Sequence, residues 1–250
     1  MGTVIIDIGT HKCEELNVLI CPSISELAGL LRASAKKLLG RSNLSLSSLS
    51  VCWGIFFTKP LQEELNNLKI IALEPNLDVC IKKINRLKKI TQVIHFPIVV
   101  QGHDFDESTD IVALNMYDDS LSSSIYNKKN INKIEQLNCL GVDFYNFYKL
   151  LLAKNILTLD DKVVVRMNCE GAEFGVVIGI RNLISDGVQI EAVIGSLADV
   201  KKIHGEEKYD EMIHILQSCG LEYKYFKGTD LESWSVGLSE IKRVISGYNR

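Results

Sequence analysis

Apolar residues in this chain gather in short runs of β-type side chains, separated by longer stretches with helical spacing. Val4 to Ile8 is apolar apart from Asp7, and Ile70 to Leu73 and Val163 to Val165 are apolar throughout. Each run passes directly into polar residues: Asp7-Ile8-Gly9-Thr10, Glu74-Pro75-Asn76, and Arg166-Met167-Asn168-Cys169-Glu170-Gly171-Ala172-Glu173. Continuous runs of this kind fit parallel strands covered on both faces, so 3–8, the segment ending at Leu73 and 163–167 are expected to be neighbours in one sheet. Further strands are expected over Thr91–Val100, Ile111–Tyr117 as an antiparallel partner, Gln189–Ile194 and Leu221–Phe226.

Helical spacing fills the intervals. Cys13 to Cys21 reads as a short helix stopped by Pro22. Ser25 is a candidate cap for a helix in which Leu27, Leu30, Leu31, Leu38 and Leu39 lie opposite Arg32, Lys36 and Lys37, with Gly40 as its stop. Leu77–Lys89 carries Lys82, Lys83, Arg86, Lys88 and Lys89 on its outer face. Asp143 is placed to cap Phe144–Lys154, and Phe174–Leu183 and Tyr209–Cys219 are further helices. Gly102–Asp110 reads as a polar turn, 118–124 as a small-residue loop, and Tyr126–Asn138 as polar surface.

Asp7 and Glu74 stand 67 positions apart, too far for an ordinary strand-helix-strand step. Residues 22–67 therefore read as an insert within a single domain spanning 1–250. Its Arg41–Ser50 stretch has no helical period, and Val51–Phe57 is an apolar patch with Trp53, Phe56 and Phe57. By connectivity it belongs near the carboxyl edge of the sheet, either as extra core packing or as a lid or acceptor-binding element. The expected fold is α/β and Rossmann-like: a mostly parallel central sheet, helices on both faces and a late antiparallel strand.

Composition narrows the function classes. A hydrophobic fraction of 46% with 24% charged residues is that of a folded globular chain, and a net charge of −3 gives no overall attraction to nucleic acid. Seven scattered cysteines without a C-x-x-C pair fit a reducing compartment, so a cytoplasmic location is expected. No stretch approaches the roughly 20 apolar residues of a membrane span, and no membrane partner is expected.

The three strand ends together suggest a nucleoside site. A carboxylate at the end of a second strand, here Glu74, is placed to accept both hydroxyls of a ribose bound over the turn after the first strand. Gly9 lets backbone approach such a ligand closely, and Asp7 would orient the turn and hold an amino group by charge-assisted hydrogen bonds. The turn is no dinucleotide fingerprint: His11 and Glu14 stand where G-x-G-x-x-G needs glycines, and an acid there repels pyrophosphate. S-adenosylmethionine, which carries no phosphate, is the better cofactor.

The chain resembles the FkbM-type methyltransferases, a Rossmann-like class I branch that methylates hydroxyl groups of sugars and natural products. The likeness rests on Asp7-Ile-Gly9-Thr10-His11-Lys12, Glu74-Pro75-Asn76, Ser122-Ser123-Ser124 and, most specifically, Val165-Arg-Met-Asn168-Cys-Glu170-Gly171-Ala172-Glu173. It implies a cofactor site made of Asp7, Gly9, Thr10, His11, Glu74, Pro75, Asn76 and Asn168. Three positions depart from the pattern: Cys13 replaces a second glycine, Asn168 replaces an aspartate, and Ala192-Val193 follow Glu191 where many members have a histidine. Asparagine brings no charge to a metal, so a metal-independent reaction is implied.

An alcohol needs a base to attack a sulfonium methyl. Glu170 is the first candidate, Glu191 the second and His204 the third. Glu173 fits the start of a helix, where an acid meets the positive end of the helix dipole. The expected activity is O-methylation of a small-molecule or glycan hydroxyl. The alternatives are a sensor module that binds the cofactor without turnover and a nucleic-acid methyltransferase using the basic face at 82–89 and the aromatics at 53–57.

Overall fold

The computed structural model describes residues 2–11, 14–21, 24–40, 42, 45–57, 62–101, 109–117, 123–126, 133–226 and 231–246. In chain order the elements are β1 (Thr3–Ile8), α1 (Glu14–Ile20), α2 (Ile24–Leu38), α3 (Leu46–Phe57), α4 (Gln62–Asn66), β2 (Leu68–Leu73), α5 (Leu77–Leu87), β3 (Gln92–Phe96), β4 (Ile98–Val100), β5 (Thr109–Tyr117), β6 (Ser123–Ser124), β7 (Lys133–Val142), α6 (Phe144–Ala153), β8 (Lys162–Met167), α7 (Glu173–Ser185), β9 (Ile190–Gly195), α8 (Ala198–His204), α9 (Glu206–Ser218), β10 (Tyr223–Tyr225) and α10 (Leu231–Ile245). Lys12, Cys13, Ser122, the rest of the 118–122 loop and the side chain of Phe56 lie outside the described residues.

Six strands form an all-parallel sheet in the order β10-β9-β8-β1-β2-β3. Counted along the chain that order is 3-2-1-4-5-6, loosely Rossmann-like, with the direction of winding reversing between β1 and β8. The two-residue period of β1 sends Val4, Ile6 and Ile8 into one apolar core and Ile5 into the other. The first core is closed by α6, α7 and α9, the second by α1, α5 and α10. Helices thus cover both faces, which is why the strands read as apolar runs without alternation.

The late antiparallel strand is a correction: β10 runs parallel to β9, pairing Tyr223 with Val193. Antiparallel pairing is found in a second sheet of order β4-β7-β5-β6, curled into a half-barrel. The expected single strand over 91–100 feeds both sheets. Pro97, with no N–H to give a ladder, divides it, so β3 stays beside β2 while β4 pairs with β7. The 126–138 stretch, read as polar surface, contains the start of β7, which pairs along the length of β5. Its first four residues are exposed, so no buried set marks it as a strand.

Two helices also depart from expectation. The aperiodic stretch before Val51 joins the apolar patch in α3, started by Ser45, whose hydroxyl accepts the Ser48 N–H at 3.0 Å. Ser25 falls inside α2, since that helix begins at Ile24. Beyond the last expected strand, α10 buries Leu238, Ile241, Val244 and Ile245 at helical spacing. Asp143 caps α6 as expected, accepting the Asn146 N–H at 2.9 Å.

Candidate functional site

A cleft open to solvent lies at the carboxyl ends of β1, β2 and β8, where the winding reverses. The large sheet contributes Gly9, His11, Glu74, Pro75, Asn76, Asn168 and Glu170 to its lining. The second sheet and its flank add a mainly aliphatic set, Ile98, Val99, Val100, Leu114 and Ile125, together with Ser123 and Ser124. None of the described residues of 22–67 lines the cleft; α3 packs on α1, α2 and α10.

Glu74 ties the first two strand ends together. Its Oε2 accepts the His11 N–H at 2.8 Å and its Oε1 accepts the Asn76 N–H at 2.9 Å. His95 of β3 bonds the Glu74 carbonyl at 2.9 Å. Burial raises the Glu74 pKa above the ordinary carboxylate value, opposed by the Asn76 and His11 hydrogen bonds.

The turn after β1 is held from β8. Gly9 has φ +69°, and a Cβ on it would stand 2.2 Å from the Asn168 carbonyl oxygen. Its glycine is therefore demanded by the close passage of β8 as well as by backbone conformation. Arg166 Nη1 donates to the Gly9 carbonyl at 2.7 Å and to Asp7 Oδ1 at 3.1 Å, forming a buried ion pair between β8 and β1. Thr10 donates its hydroxyl to the Asp7 carbonyl at 2.7 Å. Asp7 and Thr10 thus shape the turn and are not among the residues lining the cleft.

His11 and Glu170 are two of three described non-glycine residues at positive φ, at +46° and +55°. Both line the cleft. Backbone held in this sparsely populated region at two points of a cavity lining is a mark of an organised site. At Glu170 the cause is visible: the Glu173 carboxylate accepts the Cys169 N–H at 2.8 Å and the Gly171 N–H at 2.7 Å, winding 169–171 over the start of α7. Ser124 of β6 donates to the Glu170 carbonyl at 2.7 Å, fastening the second sheet to this turn. Burial raises the pKa of Glu173 and drives that of Cys169 well above the thiol value.

The other two base candidates lie elsewhere. Glu191 precedes Ala192, the partner of Val164, whereas the cleft begins at Asn168, four residues further along β8 and about 13 Å away. It sits at the opposite edge of the sheet, where its charge acts on Arg243 of α10. His204 bonds the Gly171 carbonyl at 2.9 Å and meets the Tyr126 ring edge to face at 4.9 Å, bracing the 169–171 turn from outside the cleft lining. Among the described residues, no group of three or more His, Cys, Asp or Glu is arranged to hold a metal ion.

Arg166 and the aliphatic wall were not anticipated from sequence. Arg166 left one trace, a cation closing an otherwise apolar strand run. The wall left none, because it depends on how a second sheet folds over the first. No protein-family model, curated protein or solved structure matches the chain.

Proposed function

We propose that this protein is an S-adenosylmethionine-dependent methyltransferase acting on a hydroxyl group of a small molecule or glycan, on the pattern of the FkbM-type enzymes it resembles. The observation that carries this reading is Glu74, a buried carboxylate at the end of β2 on the wall of the cleft. Each of its oxygens accepts one backbone N–H, and an ionised carboxylate has about four lone-pair positions, so acceptors remain for two ribose hydroxyls.

The lining chemistry fits the same cofactor. Its acidic side chains, Glu74 and Glu170, are joined by no Lys or Arg among the described lining residues, a set suited to a cationic sulfonium and poor for phosphates. Gly9, His11, Pro75, Asn76 and Asn168 complete the lining on that side, while Asp7 and Thr10 hold the turn beneath. Bound S-adenosylmethionine supplies an electrophilic methyl: the acceptor oxygen forms the C–O bond as the S–C bond breaks, the hydroxyl proton goes to a base, and a neutral thioether remains. Glu170, the second carboxylate of the lining, is the candidate base for that proton. The aliphatic residues of the second sheet offer an apolar surface against which an acceptor could pack.

Calorimetric titration of the protein with S-adenosylmethionine, its demethylated product and NAD tests the reading. Binding of the first two and none of NAD supports it. Binding of NAD alone overturns it, and binding of the first two without methyl transfer to any alcohol, phenol or sugar tested moves the protein to the sensor class.

A further inference from the structure

The helix pair α2 and α3 carries a surface that the cleft does not use. From Leu27 to Leu61 the chain has five basic residues, Arg32, Lys36, Lys37, Arg41 and Lys59, and no acid. The segment is therefore +5 in a chain of net charge −3. On α2 and the turn that ends it, Leu31, Ala35, Leu38 and Leu39 follow the i, i+4, i+7, i+8 spacing of one helix face, and all four are exposed. Leu38 keeps 84% and Leu39 66% of its surface in solvent. Arg32 and Lys36 each follow one residue later, so an exposed basic row borders the apolar stripe. Neither they nor Lys37 forms an ion pair among the described residues. The opposite face of α2 is satisfied: Leu30 packs with Leu49, Cys52 and Trp53 of α3. The neighbouring α3 exposes apolar residues at both ends, Leu46 at 69% and Phe57 at 69%.

We infer that the α2–α3 face docks on an anionic lipid bilayer surface, with the leucine stripe in the headgroup–acyl boundary and Arg32 and Lys36 on the headgroups. An anionic bilayer uses both halves of the pattern: apolar side chains leave water while cations at their margin meet negative headgroups. Nucleic acid uses only the cations and leaves the leucines in water. A second copy docked by the same face brings together two surfaces whose 27–61 segments carry bases and no acid, so like charges repel. The contact is superficial, since no described helix is long and apolar enough to cross a membrane. The expectation of no membrane partner came from the absence of such a span, which does not bear on surface binding.

Flotation of the full chain with vesicles of phosphatidylcholine and phosphatidylglycerol, against vesicles of phosphatidylcholine alone, tests the inference. The anionic vesicles are expected to bind at least about tenfold more protein, an advantage that falls steeply at about 0.5 M salt. Leu38→Ser with Leu39→Ser, and separately Arg32→Glu with Lys36→Glu, are each expected to lower binding at least about tenfold without a fall in melting temperature, since all four side chains are exposed. Failure to float, equal binding to both vesicle types, or binding untouched by either pair of substitutions overturns the inference. So does retention on duplex DNA without vesicle binding, or a dimer in solution that the leucine substitutions dissolve while vesicles are ignored. None of these readouts depends on S-adenosylmethionine, so failure of the methyltransferase reading is scored separately.

Discussion

At the scale of single residues, Glu74 and the Asp7–Arg166 pair do different work although both are buried at strand ends. Glu74 faces the cleft and keeps acceptor capacity. Glu74→Ala is expected to weaken S-adenosylmethionine binding by about 1.5–3 kcal/mol, the scale of hydrogen bonds to a charged group, in calorimetric titration. Its raised pKa adds a pH signature. If, as proposed, the ionised form accepts the ribose hydroxyls, then because burial favours protonation the affinity should fall on acidification before an ordinary glutamate would titrate. Glu74→Gln, which keeps the shape and loses the ionisation, should remove that dependence; a pH profile shared by both proteins would exclude Glu74 as its source. Asp7, by contrast, is engaged by Arg166 away from the lining. Removing one partner of a buried ion pair leaves the other charge stranded, so Asp7→Ala should cost about 3–5 kcal/mol in urea denaturation. Adding Arg166→Met to Asp7→Ala should recover part of that loss, and no recovery would show that the pair is not the source of the cost.

Elements buried on every side, or on one face behind a cap, were legible in sequence. β1, β8 and α7 follow from continuous apolar runs, and α6 from an apolar face behind a capping acid. The Asp143 cap is a local device, and Asp143→Ala should cost about 1 kcal/mol in thermal or urea unfolding while leaving cofactor affinity unchanged, because α6 contributes no residue to the cleft lining. β7 was illegible because its outer residues have no covering layer and so no apolar alternation. The division of 91–100 at Pro97 was illegible for another reason: a proline marks a break in a ladder, but the sheet each half joins is fixed by partners far along the chain, Ile71 for Ile94 and Gly141 for Val99.

For the molecule as a whole, the cleft joins segments from the start, middle and second half of the chain: the β1 turn, the ends of β2 and β4, β6 and the turn after β8. A ligand held there couples all of them to one unfolding transition. S-adenosylmethionine at 100 times its dissociation constant should therefore raise stability by about 2.7 kcal/mol, read as an upward shift in melting temperature. Glu74→Ala at the same cofactor concentration should lose much of the shift. A shift of equal size in both proteins would place the binding outside this cleft.

What the sequence determined by itself was local: strands buried on both faces, capped helices, an acid after the second strand, a glycine after the first, and an acidic turn before α7. These are set by side-chain period and backbone preference within a few residues, so they are written in the order of the chain. The tertiary structure alone decided that β10 lies parallel, that a half-barrel supplies the apolar wall, that Arg166 takes Asp7, and that Glu191 is carried to the far edge of the sheet. Each of these depends on which distant strand becomes a neighbour and in what register, and a shift of two residues in register moves a side chain about 7 Å without altering its local pattern.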